Sequence, residues 1–330
     1  MKRALLADIG GTFARFALLS GDVLGPIRTL EVRHHPTVAS AIRQMLERDG
    51  QALPVECAIF ALAGPIKDGC CALTNSSWTV DAAELKDDFG FQEVRLVNDH
   101  EVTAWGLPHL SSPDTRLVGP DTPVVGAPMA VLGPGTGLGM ACFIPDAGAA
   151  HVLASEGGHA TLAATNTREE ALIGSLRRRF GHVSAERVLS GDGMGNLYSA
   201  IAEIDHIRVT PRTAAEITRA AVDGTCPASR EALDVFCALL GAVAGNVALT
   251  FGARGGMFIG GGIVPRIVDY LIRTAFRERF EAKGRFRPYL AAIPVKVILR
   301  PNPAFLGLMA LARNGDNAPL GRREPRQAHA

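Results

Sequence analysis

Arg95-Leu96-Val97-Asn98-Asp99-His100-Glu101-Val102 is the stretch whose reading decides the fold. The apolar run 94–97 reads as the end of a strand, and after two polar residues the pattern passes into a helix. Ligands of open α/β sheets sit outside the carboxyl ends of the strands, which is where this junction places Asn98 and Asp99. Two readings of the pair stand side by side. Asn98 with Glu101 three positions on is a capping box, which starts a helix and needs no further role. Asp99 can instead orient and deprotonate a substrate hydroxyl, with Asn98 holding the same molecule.

Upstream, residues 3–8 read as a buried strand and 12–19 as a second, with Ile9-Gly10-Gly11 between them. Gly-Gly is a standard two-residue hairpin loop. Bare glycine backbone can equally point N–H groups at a phosphate, with Thr12 adding a hydroxyl. Asp8, at the strand end, is then placed to hold a hydrated Mg²⁺. A helix over 36–47 (Val38, Ile42, Met45, Leu46) precedes a strand over 55–63. A short strand pair around 70–74 meets the polar loop Thr74-Asn75-Ser76-Ser77-Trp78, either a plain loop or a ligand-facing one. A short helix over 81–88 leads back to the opening strand, and this alternation places the region in the α/β class.

Residues 108–128, with Ser111-Ser112-Pro113 inside, read as a crossing between domains. Beyond it the glycine-hairpin theme returns as strand 129–132, loop Gly133-Pro134-Gly135-Thr136-Gly137 and strand 138–144. Three glycines in five residues ending in Thr-Gly exceed what a turn needs and favour phosphate contact. Leu138 stands where a dinucleotide fingerprint needs its last glycine, and no Gly-Lys-Ser/Thr exists for a P-loop. Ser155-Glu156-Gly157-Gly158-His159 follows a strand over 151–154 and sets a carboxylate and an imidazole around two glycines. Ala104 rules out a zinc-protease motif starting at His100-Glu101.

A helix over 167–179 follows, and Ser184 reads as the N-cap of another, with Glu186 in its first turn. Helices over 195–203, 214–222 and 230–249 precede a strand over 256–259. That strand meets Gly260-Gly261-Gly262 and a helix from Val264 onward, a junction where a flat nucleoside can lie against backbone. Residues 293–299 read as the last strand and 304–313 as the last helix. The Pro-, Arg- and Gly-rich stretch 314–330 reads as a disordered tail.

A chain of 330 residues fits two domains. Its 34 basic against 33 acidic residues argue against a broad nucleic-acid footprint. Six cysteines (57, 70, 71, 142, 226, 237) show neither a CxxC pair nor a Cys/His zinc spacing, which fits a reducing cytoplasm. Asp8 ends the first apolar run too early for a signal peptide. Residues 235–253 carry no charge and are formally long enough to span a bilayer. Their Ala, Gly, Cys, Asn246 and Thr250 read instead as a helix buried in an α/β domain.

The order of these stretches resembles the actin and sugar-kinase superfamily, and more closely the bacterial glucokinase family of the non-ROK type. The resemblance rests on Asp8-Ile9-Gly10-Gly11-Thr12, Asn98-Asp99, Gly135-Thr136-Gly137-Leu138-Gly139 and Glu156-Gly157-Gly158-His159. It rests further on Gly181-His182-Val183-Ser184-Ala185-Glu186-Arg187-Val188-Leu189-Ser190-Gly191 and Gly260-Gly261-Gly262-Ile263-Val264-Pro265-Arg266. It covers residues 3–312. It implies two ribonuclease-H-like α/β domains with a cleft between them, a small one from 1–109 plus 298–313 and a large one from 110–297. It implies ATP-dependent phosphorylation of D-glucose at its 6-hydroxyl, with Asp99 as catalytic base. Asn98, Asn75, Glu156, His159 and Glu186 would hold the sugar. Gly10-Gly11-Thr12 and Gly135-Thr136-Gly137 would hold the ATP phosphates, Gly260, Gly261 and Gly262 would lie beside adenosine, and Asp8 would reach Mg²⁺ through water. Glucose and ATP are the partners so implied, nucleic acid and membrane are not, and a homodimer is left open. Phe13 and His100 depart from the Asn and Phe expected there. The Cys-rich zinc motif of the ROK glucokinases is absent, so no zinc is assigned. Two rival readings are a kinase of the same fold acting on another hexose or an amino sugar, and a catalytically silent sugar sensor.

Overall fold

The computed structural model describes residues 3–48, 54–73, 76–146 and 150–313. Asn75 and the tail expected over 314–330 lie outside the described residues. Those described divide into two compact units, one of 3–102, 146, 150 and 304–313, the other of 103–145 and 151–303.

The first unit is built on β1 (Arg3–Ile9), whose Leu5, Leu6 and Ala7 are buried in succession. A strand buried on both faces must have neighbours in the sheet and cover above and below it. β2 (Phe13–Ser20) pairs with it antiparallel and β5 (Cys57–Leu62) parallel, and β8 (Glu93–Asn98) follows β5 in parallel. β3 (Val23–Leu24) and β4 (Arg28–Glu31) both pair with β2. The register aligns Ile9, Leu62 and Asn98, so the loops after β1 and β8 leave the same end of the sheet. α1 (Val38–Arg48) contributes Val38, Ile42 and Met45 to this core, the face its periodicity predicted. β6 (Cys70–Ala72) and β7 (Thr79–Asp81) form a separate hairpin. Asp81 accepts N–H bonds from Ala83 and Glu84 to start α2 (Ala82–Phe89), and left-handed Gly90 ends it. α3 (Asp99–Gly106) follows β8 directly. α11 (Ala304–Arg313) returns from the far end of the chain to pack on β1 and β5.

The second unit carries a sheet in the order β12-β11-β10-β13-β14-β9. Its strands are β9 (Thr115–Val118), β10 (Met129–Pro134), β11 (Leu138–Ile144), β12 (His151–Ser155), β13 (Gly256–Ile259) and β14 (Val295–Ile298). β10, β13 and β14 are parallel to one another, while β11 and β12 continue from β10 antiparallel. The stretch 108–128, read as a plain crossing, contains β9, which lies antiparallel to β14 at the sheet edge. Asp114 pins that edge: its carbonyl accepts the N–H of Leu299 and Arg300, and its carboxylate takes the Arg300 guanidinium at 2.9 Å. Hydrogen bonds from Ser111 and then Arg300 hold that carboxyl down at about 2.

α4 (Thr167–Phe180), α5 (Gly191–Ile204) and α6 (Ala214–Val222) pack with α7 (Pro227–Phe251), the charge-poor helix. α7 alone among the described helices is long and apolar enough to cross a bilayer, and 78% of its most apolar window is buried in the unit. Gly241 and Gly245 explain its composition. A Cβ there would lie 2.1 Å from the Phe276 carbonyl and 2.4 Å from that of Phe280, so α9 (Phe276–Glu281) sits directly on the α7 backbone. The helix expected from Val264 is only a 3-10 turn, Val264–Ile267, followed by the single turn α8 (Val268–Leu271). Pro265 and the β-branched Ile263, Val264, Ile267 and Val268 account for its brevity. α10 (Arg287–Ala291) completes the unit.

Candidate active site

In the first unit the candidate residues gather at the carboxyl end of β1, β5 and β8. Asn98 caps α3: its side-chain oxygen accepts the backbone N–H of His100 at 3.0 Å and of Glu101 at 3.2 Å. That oxygen is therefore engaged, and the amide nitrogen is the group with which Asn98 can meet a ligand hydroxyl. Asp99 is the first residue of α3, and its Oδ1 accepts the His100 N–H at 2.8 Å.

Two strand spacings away, Asp8 is the last residue but one of β1, and its carboxylate meets Arg15 Nη1 at 3.3 Å. Burial raises the Asp8 carboxyl above its ordinary value, the negative charge of Asp99 adds to the rise, and Arg15 opposes it. Asp8 thus lies in the field of the Asp99 charge and is held there at an energetic cost. Such a site suits a cation that brings its own waters. Among the described residues no group of three or more His, Cys, Asp or Glu forms an all-protein cage.

The hairpin Gly10-Gly11-Thr12 follows Asp8, with the Gly10 N–H donating to the Phe13 carbonyl at 3.0 Å. Neither glycine has a positive φ. A Cβ on Gly10 would meet nothing closer than that carbonyl, at 3.7 Å. Neither turn conformation nor crowding within the chain explains glycine at position 10, which leaves room for a ligand as the reason. Phe13 is 40% exposed beside the loop, with the Arg15 guanidinium over its ring at 5.9 Å.

In the second unit three strand-end segments converge. The turn Gly135-Thr136-Gly137 closes the β10–β11 hairpin, with the Gly135 N–H on the Gly137 carbonyl at 2.8 Å. Gly260, Gly261 and Gly262 follow β13, the parallel neighbour of β10. A Cβ on Gly135 would lie 3.8 Å from the Gly262 nitrogen, so the two glycine segments face each other with space to spare. Gly261 differs: its φ is +81°, and a Cβ would fall 2.2 Å from the Pro134 carbonyl.

The third segment is the eleven-residue run 181–191. Ser184 does make the contact of an N-cap, its Oγ accepting the Arg187 N–H at 3.3 Å, but it starts a short turn and not a helix. Ser184 bridges to Thr161, and the Leu162 and Ala185 N–H groups bond to Val183 and Ala160 across the strip. The Glu186 N–H donates to the Gly158 carbonyl at 2.9 Å, so the chain here is paired across the strip as well as capped. This zipper brings Glu156, His159 and Glu186 together. His159 Nδ1 lies 3.9 Å from Glu186 Oε1, and its Nε2 lies 3.8 Å from Glu156 Oε2. Glu186 is the least exposed of the three, and its Oε2 accepts the Leu138 N–H at 2.9 Å. Two carboxylates around an imidazole present acceptors and a donor to a polyhydroxylated ligand.

At the end of the run the Gly191 N–H donates to the Gly135 carbonyl at 2.8 Å. Gly191 also lines a cavity of about 630 Å³ with Arg187, Asp192, Asn196, Tyr198 and Arg212. Of these, Asp192, Asn196, Tyr198 and Arg212 were not singled out from the sequence. The signal was present in Gly191-Asp192-Gly193-Met194-Gly195, where α5 starts four residues earlier than its apolar period indicates, capped by Ser190 on the Gly193 N–H.

Residues 5–315 match a family model described as Glucokinase. A glucokinase of Paramagnetospirillum magneticum is 46% identical over 317 residues, 95% of this chain and 98% of its own. The crystal structure of a glucokinase from an Antarctic psychrotroph is 37% identical and superimposes with a TM-score of 0.86, covering 95% of this chain and 99% of its own. A Balamuthia mandrillaris glucokinase crystallised with glucose, at 21% identity, shares the fold with a TM-score of 0.77, over 94% of each chain.

Proposed function

Because the chain belongs to the glucokinase family, we propose that it transfers the γ-phosphoryl group of ATP to the 6-hydroxyl of D-glucose, giving glucose 6-phosphate and ADP. The observation that carries this reading at the level of the site is Asp99: a carboxylate at the strand end, in line with a glycine hairpin whose Gly10 the fold itself does not require. Phosphoryl transfer is largely dissociative, so positioning and charge neutralisation matter more than a strong base. Asp99 holds the 6-hydroxyl and takes its proton late. Asn98, through its amide, with Glu156, His159 and Glu186, receives the remaining hydroxyls, and an epimer that leaves one of these groups unpaired is rejected. Gly10-Gly11-Thr12 and Gly135-Thr136-Gly137 offer N–H and hydroxyl groups to the phosphates. Gly260, Gly261 and Gly262, with the cavity beginning at Gly191, take the adenosine side. Asp8 would hold Mg²⁺ through water, and the ion would neutralise charge on the phosphate oxygens.

The two sheets support a ribonuclease-H-like reading of both domains, because each sets an antiparallel hairpin beside parallel strands in the same order. We read the small domain as 1–109 plus 298–313 and the large one as 110–297. Six free cysteines fit a cytoplasmic location.

The direct test is ADP release by the purified protein with glucose, mannose, galactose and N-acetylglucosamine. Glucose is expected to dominate. Preference for an amino sugar would replace the substrate, and glucose binding without ADP release would favour the silent sensor.

Two substitutions probe the phosphate side. The native Asp8 carboxyl lies above its ordinary value, so the folded state binds that proton more tightly than the unfolded chain. Stability is therefore lost as pH rises through that interval, and Asp8→Asn removes the loss. Asp8→Asn is expected to melt higher at neutral pH while turning over more slowly and responding less to Mg²⁺; a lower melting temperature would contradict the burial argument. Gly135→Ala is expected to keep the wild-type melt and raise KM for ATP. Gly261→Ala, with its positive φ and a carbonyl in the way, should cost about 1–3 kcal/mol of stability. Equal melting temperatures for the two alanine variants would refute the distinction.

A further inference from the structure

We propose that His100 is a positioning residue for Asp99: its imidazole donates Nδ1–H to Asp99 Oδ1 and so fixes the carboxylate in the orientation the transfer needs. This rests on the reading of Asp99 as the base. His100 Nδ1 lies 2.9 Å from Asp99 Oδ1, the same oxygen that accepts the His100 backbone N–H at 2.8 Å. An ionised carboxylate only accepts, so the proton of this contact sits on Nδ1. Neighbouring positions of a helix do not face each other, so the pairing is not a by-product of helix geometry. Asp99 Oδ1 meets both the backbone N–H and the ring Nδ1 of His100. Two donors on one oxygen restrict rotation of the carboxylate.

The electrostatic surroundings give this contact a task. Asp8 from β1 faces the pair, with Arg15 from β2 bonded to it, and Cys71 from β6 lies within the field of Asp99. Arg15 is engaged with Asp8, its Nη1 3.3 Å from the Asp8 carboxylate. The imidazole adds an N–H donor to the Asp99 carboxylate at this crowded sheet end. Both side chains are partly exposed, His100 at 25% and Asp99 at 30%, so the effect is tempered by solvent.

The test is kcat against pH for the wild type, His100→Phe, His100→Asn and Asp99→Asn, each with glucose KM and a thermal melt. A phenyl ring fills the space but cannot donate. In His100→Phe the acid limb of kcat is expected to move up by about one pH unit, with glucose KM held within about twofold. Asn places an amide N–H close to the position of Nδ1, and His100→Asn is expected to return the limb toward the wild type. A purely structural role would lower the melt or scale kcat evenly without moving the limb. A His100→Phe limb that superimposes on the wild type, or a His100→Asn limb displaced as far as that of His100→Phe, overturns the proposal. Should Asp99→Asn turn over normally, the base assignment falls and this proposal with it. Loss of turnover in Asp99→Asn with an unmoved His100→Phe limb removes the role of His100 alone.

Discussion

Asp99→Ala keeps its fold and its affinity for glucose and loses about 10²–10⁴-fold in kcat, the usual worth of a positioned general base. The fold survives because Asn98 also caps α3: its side-chain oxygen takes the Glu101 N–H and shares the His100 N–H with Asp99 Oδ1. Removing the second carboxylate also relieves Asp8, whose carboxyl the Asp99 charge pushes further above its ordinary value. The melt of the variant is therefore expected to equal or exceed that of the wild type. Glucose affinity persists because Glu156, His159 and Glu186 are held by their own zipper of backbone bonds, independent of α3. The residual rate then reports positioning and charge neutralisation alone, the larger share in a dissociative transfer. Steady-state kinetics with calorimetric glucose binding measures each part. Turnover near the wild-type value would sink the assignment of Asp99.

The sheets were legible in the sequence because their strands are short apolar runs ended by Gly, Asn or Asp, and such runs have little else to become. β1, β5, β8, β10, β11 and β13 fall within a residue or two of their expected bounds. β9 was not legible: four residues, Thr-Arg-Leu-Val, become a strand only because β14 offers an edge and Asp114 fastens the join. Ser184 was legible as a cap but not as a bridge, since its pairing partner Thr161 lies 23 positions upstream and no local pattern reveals it. At the site, the cap on α3 could be read from Asn98 and Glu101 alone. The gathering of Glu156, His159 and Glu186 could not, and came only through resemblance to a family. The cavity beside Gly191 went unread because Gly191, Gly193 and Gly195 count against a helix, so α5 was started too late.

Glu186→Gln raises KM for glucose by about 10–100-fold, the loss expected when hydrogen bonds to a charged acceptor become bonds to a neutral one. The substitution keeps shape and one oxygen, and that oxygen can still take the Leu138 N–H that Glu186 Oε2 now accepts at 2.9 Å. What it removes is the negative charge shared by the two carboxylates around His159, which is what a sugar hydroxyl would sense. Because the Leu138 bond survives, the turn Gly135-Thr136-Gly137 keeps its anchor, and KM for ATP should change far less. Glu186→Ala separates the two roles. It leaves the Leu138 N–H unpaired next to Gly137, where Glu186 Oε2 now sits 2.6 Å from the position of an added Cβ, and so should raise KM for both substrates. A Gln variant that weakens ATP more than glucose would reassign Glu186 from the sugar to the phosphate turn it touches.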